Sequence, residues 1–222
     1  MPATATTIAE QVEGLNAASA ERLPADILAA FGASLARLNA AGVPADVAKT
    51  GTRVPDVALI DAHGAPTSLH AVTAGRPTVL AFYRGAWCPY CNIALRTYSD
   101  QLLAKLTERG VGLVAISPQK PDGSLSMQEK HELTFPVLSD AGNALASQLG
   151  ILSLPAGEDV RAAQGELGLD VTTVNADGSD TLPMPTVLFL DADNEIGWID
   201  VRPDYTARIE VADILAGVDS AL

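Results

Sequence analysis

Two cysteines, Cys88 and Cys91, are the only ones in a chain of 222 residues, and they sit in the run Phe82-Tyr-Arg-Gly-Ala-Trp-Cys-Pro-Tyr-Cys91. A Cys-x-x-Cys pair closes too short a loop to constrain the unfolded chain much, so redox chemistry is the expected use. The apolar run Pro77–Tyr83 (PTVLAFY) before them reads as a strand buried on both faces. Pro89 suits the first turn of a helix that begins there. A sulfur at a helix N-terminus faces unpaired N–H groups and the positive end of the dipole, both of which favour the nucleophilic thiolate. Three residues apart, the two sulfurs share one side of the first turn and can bond to each other. Arg84 is expected to add a fixed positive charge, and Tyr83 and Trp87 to shape a pocket.

Two other readings of the cysteines stand beside this one. A zinc half-site would need two more ligands, and His63, His70 and His131 are not at ligand spacing. Two inert cysteines can also serve as small buried hydrophobes. Just before a later strand, Met184-Pro185-Thr186 is a second candidate feature; a cis Met184–Pro185 bond there would present backbone to a docked substrate.

The elements around these residues alternate between helix and strand. Thr7-x-x-Glu10 fits a capping box, and Ile27, Leu28, Phe31, Leu35 and Leu38 form one apolar helical stripe that Gly42 and Pro44 end. Strands are expected at Val57–Ile60, Pro77–Tyr83, Val111–Ile116 and Phe135–Leu138. A turn at Asp61–Gly64 follows the first of them. A helix over Ala94–Leu106, a cap at Ser126-x-x-Glu129 and a helix from Asp140 to Gly150 lie between strands. Residues 151–183 are irregular, with a helix near Val160–Gln164 and a turn at Asn175–Gly178. Thr186–Leu190 and Ile196–Val201 flank a hairpin turn at Asp191–Asn194, and a helix from about Ala207 follows. This order predicts an α/β fold with a mixed sheet, divided into an N-terminal helical arm (1–50) and an α/β domain (51–222). The arm is expected to dock or to form a homodimer.

Composition excludes several classes. Apolar residues make up 48%, enough for a real core, and 27 acidic against 14 basic residues give a net charge of −13. Such a surface repels phosphate backbones and anionic lipid, so neither nucleic acid nor membrane is an expected partner. No apolar run approaches the ~20 residues of a membrane helix. The opening MPATATTIAEQVEG lacks the basic and apolar regions of a secretory signal, which points to the cytoplasm. No metal, nucleotide or flavin site is visible, so no cofactor is expected.

From about Gly51 onward the chain resembles the peroxiredoxin-like branch of the alkyl hydroperoxide reductase/thiol-specific antioxidant (AhpC/TSA) family. The stretches that carry the resemblance are Gly51–Asp56, Phe82–Cys91, Val114–Pro118, Phe135–Asp140 and Val201–Thr206. It implies a thioredoxin-like fold and a thiol peroxidase that reduces hydrogen peroxide or organic hydroperoxides. An external dithiol such as thioredoxin would recycle it. Laying the family's Pro-x-x-x-Thr-x-x-Cys on this sequence puts the attacking cysteine at Cys91, with Arg84 at the proline position and Cys88 at the threonine position. Pro185 stands where the family has its peroxide-binding arginine, so Arg84 becomes the candidate for that role. The thioredoxin pattern makes Cys88 the attacker instead, as does its place at the extreme helix N-terminus, and Phe82 replaces thioredoxin's buried carboxylate. Both assignments stand at this point. Two other functions stand with them: a thiol–disulfide oxidoreductase and a redox-sensing interaction module.

Overall fold

The protein is described by a computed structural model covering residues 6–121 and 133–222. Helices α1 (Ile8–Arg22) and α2 (Ala25–Ala41) come first. Strand β1 (Ala58–Asp61), strand β2 (Pro66–Ser68) and the short helix α3 (Leu69–Thr73) follow. Next come β3 (Thr78–Phe82), α4 (Pro89–Thr97), a π-helical turn at Tyr98–Leu102, α5 (Leu103–Glu108) and β4 (Gly112–Ser117). Strand β5 (Val137–Ser139) leads to the helices α6 (Ala144–Gln148), α7 (Glu158–Glu166) and α8 (Val171–Val174). The hairpin β6 (Thr186–Leu190) and β7 (Ile196–Val201) and the helix α9 (Val211–Ala221) complete the order.

The strands form one mixed sheet in the order β2-β1-β5-β4-β3-β6-β7. Strands β3, β4 and β6 are buried along their whole length, as their unbroken apolar runs require. Side-chain alternation divides them between two faces. Val79, Ala81, Leu113, Ala115, Val187 and Phe189 face α4 and α9, whereas Leu80, Phe82, Val114, Ile116, Leu188 and Leu190 face Leu59, Leu138 and Leu145. This is the expected α/β architecture with an N-terminal helical extension.

The extension docks on its own chain. Thr7 and Glu10 form the anticipated capping box, and Ile8, 1% exposed, enters the core beside α4 and α9. Gln11 Nε2 donates to Thr97 Oγ1 at 3.0 Å, and α2 packs on α7 with Arg37 Nη2 donating to the Pro155 carbonyl at 2.6 Å.

Several boundaries differ from the sequence reading. The helix begins at Pro89 and continues over Ala94–Leu106 as expected, but it runs on to Glu108 and holds a π turn that the sequence does not announce. The final helix starts at Val211 rather than Ala207, because Asp204 Oδ1 accepts from both Thr206 N and Oγ1 and turns the chain there. Asp140 does cap the following helix, its carboxylate accepting from the N–H groups of Leu145 and Ala146 at 3.1 and 3.0 Å. The cap expected at Ser126–Glu129 and His131 lie outside the described residues. Among the described residues no helix is long and apolar enough to cross a membrane.

Candidate active site

Register brings the site together. Phe82 at the end of β3 pairs with Ile116 on one side and Thr186 on the other, and Thr186 pairs with Val201 at the end of β7. The loop 83–88, the segment Pro185–Thr186 and the segment 202–210 after β7 therefore all meet at one end of the sheet. The Arg202 N–H donates to the Pro185 carbonyl at 2.9 Å and anchors that last segment.

The loop ahead of the cysteines is held tightly. Gly85 has φ +151°, and a Cβ there would lie 2.4 Å from Trp87 Nε1 and 2.8 Å from Gln119 Oε1, so only glycine fits. Ala86 is clamped from both sides: its N–H donates to Gln119 Oε1 at 2.6 Å and its carbonyl accepts from Asn92 Nδ2 at 3.1 Å. Cys88 is then the N-cap of α4, with Pro89 in its first turn, and Cys91 stands one turn in.

Both thiols are free and buried, Cys88 at 1% and Cys91 at 0% exposed. The place of Cys88 at the extreme helix N-terminus, which favoured it as attacker, therefore does not open that sulfur to solvent. Arg208, on the segment after β7, points its guanidinium at the pair, with Nη2 3.2 Å from Cys91 Sγ and 3.8 Å from Cys88 Sγ. Its other nitrogen, Nη1, donates to the carbonyls of Tyr205 and Ala207, which fixes the fork.

These contacts split the two thiols. Burial pushes Cys91 up, but the hydrogen bond from the Cys88 thiol, the Arg208 charge and the Arg84 backbone N–H outweigh it, and its proton affinity falls well below the ordinary thiol value. Burial and the neighbouring Cys91 thiolate hold Cys88 well above it, against the weaker pull of Arg208 and Arg84. The arrangement favours ionisation at Cys91 over Cys88, with the Cys88 thiol and Arg208 placed to donate to the Cys91 sulfur.

The other anticipated residues take varied places. The Arg84 guanidinium stacks over the rings of Tyr205 (4.2 Å) and Trp87 (5.1 Å), so its backbone rather than its side chain reaches Cys91. Tyr83, Pro185 and Thr186 line a small cavity beside Cys91, together with Tyr98 and Arg208. The Thr186 hydroxyl donates to the Met184 carbonyl at 3.0 Å. Met184 packs into the core on the far face of the sheet, away from the sulfurs. Its bond to Pro185 is trans, so the cis arrangement considered for this position does not occur; the Met184 N–H donates to the Ile151 carbonyl at 2.8 Å. Among the described residues no cluster of His, Cys, Asp or Glu could hold a metal ion.

Arg208, Tyr205, Tyr98 and Gln119 were not anticipated. Arg208 lies 117 residues from Cys91 in sequence, and a lone arginine after a strand carries no local signal. The family-like stretch Val201–Thr206 stops just short of it.

Residues 50–199 match the AhpC/TSA family. A protein of Mycobacterium tuberculosis whose name places it among the peroxiredoxins is 34% identical over 100 residues, which span 45% of this chain and 62% of that one. Peroxiredoxin Q of Sedum lineare is 30% identical over 103 residues, 46% of this chain and 54% of that one. The match thus spans somewhat over half the length of these relatives. The crystal structure of peroxidoxin BcpB from Mycobacterium tuberculosis superposes with a TM-score of 0.59 at 25% identity, covering 78% of this chain and 98% of that one. A peroxiredoxin-like protein of Aquifex aeolicus shares the fold, with a TM-score of 0.61 at 14% identity over 79% of this chain and 89% of that one. Because the matched residues 50–199 make up about two thirds of the 222-residue chain, the chain belongs to the AhpC/TSA family.

Proposed function

We propose that the protein is a thiol-dependent peroxidase in which Cys91 attacks and Cys88 resolves. The observation that carries this reading is the Arg208 guanidinium 3.2 Å from Cys91 Sγ and farther, 3.8 Å, from Cys88 Sγ. The Cys91 thiolate displaces hydroxide from the peroxide: an S–O bond forms, the O–O bond breaks, and the hydroxide takes up a proton to leave as water. Arg208 faces both the thiolate and the developing negative charge on oxygen. Cys88 sulfur then attacks the Cys91 sulfenic acid, which loses its oxygen as water and leaves a disulfide. An external dithiol of the thioredoxin class returns two electrons by exchange.

Thiol–disulfide exchange on protein substrates is less well supported, because its attacker would be Cys88, whose thiol burial and Cys91 hold above the ordinary value. A redox-sensing module would not need a lowered Cys91. Residues 1–50 act in this reading as an arm on a 51–222 domain. A homodimer through that arm would have to use its outward face, since its inward face packs on its own chain; sedimentation at micromolar concentration tests it.

The decisive experiment mixes pre-reduced protein with one equivalent of hydrogen peroxide in stopped flow. Fast oxidation, lost in Cys91→Ser and arrested as a sulfenic acid on Cys91 in Cys88→Ser, is the expected result. Oxidation at the rate of a free thiolate would refute the peroxidase.

A further inference from the structure

Three groups are placed to donate to the Cys91 sulfur: Arg208, the Cys88 thiol and the Arg84 backbone N–H. Two of them, on Arg84 and Cys88, lie two residues to either side of Ala86. Both polar backbone groups of Ala86 are tied to other elements. Its carbonyl accepts from Asn92 Nδ2, on the residue after Cys91, at 3.1 Å. Its N–H donates to Gln119 Oε1 at 2.6 Å. At the start of the loop the Tyr83 N–H donates to the Ile116 carbonyl at 2.9 Å. The loop is thus pinned twice to the chain around the end of β4, and the second pin is a side chain, that of Gln119.

Gln119 is 5% exposed and is itself well held. Its carbonyl accepts from Ser139 Oγ, at the end of β5, at 2.5 Å. Its neighbours bridge antiparallel to residues 174–176: the Lys120 N–H donates to the Val174 carbonyl and the Ala176 N–H to the Pro118 carbonyl, both at 2.9 Å. Asn175, opposite Gln119 in that bridge, is 0% exposed, and its Nδ2 donates to the carbonyls of Ser179 and Thr181 at 2.9 and 3.0 Å. The irregular segment 151–183 therefore closes in a tightly bonded turn that is joined to the strip carrying Gln119.

We infer that Gln119 is a positioning residue for the two cysteines, and that residues 151–183 serve the site by holding Gln119. Through Ala86 it aims the Arg84 N–H at Cys91 and fixes the entry to α4, and with it the place of the Cys88 thiol. A charged sulfur gains more from donors held in place than a neutral thiol does, so a loosened loop costs the thiolate more than the thiol. The role is independent of the oxidant, because it acts on Cys91 before any substrate arrives.

The test follows Cys91 ionisation across pH, by thiolate ultraviolet absorbance and by iodoacetamide alkylation located by mass spectrometry, in wild type, Gln119→Met, Asn175→Ala and Ile196→Val. Gln119→Met keeps the side-chain length and leaves only a weak acceptor. Its Cys91 midpoint should rise by about one pH unit, which slows alkylation about tenfold at any pH below both midpoints. Asn175→Ala should move the midpoint the same way by less. Ile196→Val trims a buried side chain at the far end of β7; it should lower the urea midpoint and leave the Cys91 titration in place. An unchanged titration in Gln119→Met would overturn the role of Gln119, as would an equal rise in Ile196→Val, since the midpoint would then follow stability alone. An unchanged titration in Asn175→Ala would overturn the part given to residues 151–183. In wild type, where no variant has to fold, the Ala86 amide should be strongly protected from hydrogen exchange, and free exchange would remove the contact on which the role depends. Each of these failures leaves the peroxidase reading standing, and slow oxidation by peroxide would leave the role of Gln119 standing.

Discussion

The hydroxyl of Tyr98 donates to the carbonyl of Ile209 at 2.8 Å inside the core, one residue beyond the arginine that contacts both sulfurs. Tyr98 opens the π turn of the active-site helix, and irregular turns of this kind frequently serve functional sites. Burial holds the phenol in its neutral, donating form. Tyr98→Phe leaves a buried carbonyl unpaired and should destabilise the fold by about 1–3 kcal/mol in urea unfolding. Its second signature is a higher pH midpoint for the Cys91 thiolate absorbance, which a purely structural role would leave in place.

Arg208→Met removes the cation and keeps the volume. Cys91 should then titrate higher, and peroxide oxidation near pH 7 should slow by about tenfold or more as the thiolate fraction falls. Stopped flow across pH separates the two effects. A rate that recovers fully at high pH would limit Arg208 to ionising Cys91, whereas a deficit that persists there is expected if it also steadies the leaving oxygen.

The cysteines should give stability a pH optimum. Cys91 is depressed, so its contribution is fully present above the unfolded thiol value near pH 8.5 and is lost as pH falls through the lower folded value. Cys88 is raised, so its contribution is full below about pH 8.5 and is lost as pH climbs toward the higher folded value. Urea midpoints measured across pH, wild type minus a Cys88→Ser/Cys91→Ser double variant, should therefore peak in the mildly alkaline range. A flat difference would contradict the split.

Disulfide formation should loosen residues 202–210. It removes the thiolate that Arg208 Nη2 faces, and a cation left without its anion in a poorly solvated site is costly. Hydrogen exchange in this segment should quicken on oxidation and slow again on reduction, while β3 and β4 stay protected. That loosening would let a dithiol reach sulfurs that are closed to it in the reduced state.

The parts of the fold legible in the sequence were those set by local chemistry. The Thr7–Glu10 capping box, the buried runs that became β3, β4 and β6, and the Asp191–Asn194 turn all write their signals within a few residues. The edge strand Pro66–Ser68 is too short to show an alternation. The two cysteines were legible because a strand, a Cys-x-x-Cys and a helix lie adjacent. Their electrostatic partner was not, because sheet register, not sequence, brings Arg208 to them. Arg84 illustrates the converse: nearness in sequence suggested a cation on sulfur, but aromatic faces compete for its guanidinium and hold it on Tyr205 and Trp87.

The carboxylate of Glu210 accepts from the N–H groups of Ile8 and Ala9 at 3.1 and 2.8 Å, across 202 and 201 residues of sequence. At a synthesis rate of about 5–20 residues per second, α1 leaves the ribosome roughly 10–40 seconds before its anion does. During that interval α1 has α4 to pack on, through Ile8 and Gln11, but its first N–H groups lack the carboxylate that receives them. The contact that fixes the head of α1 is therefore among the last that the growing chain can make, although α1 is the first helix to emerge.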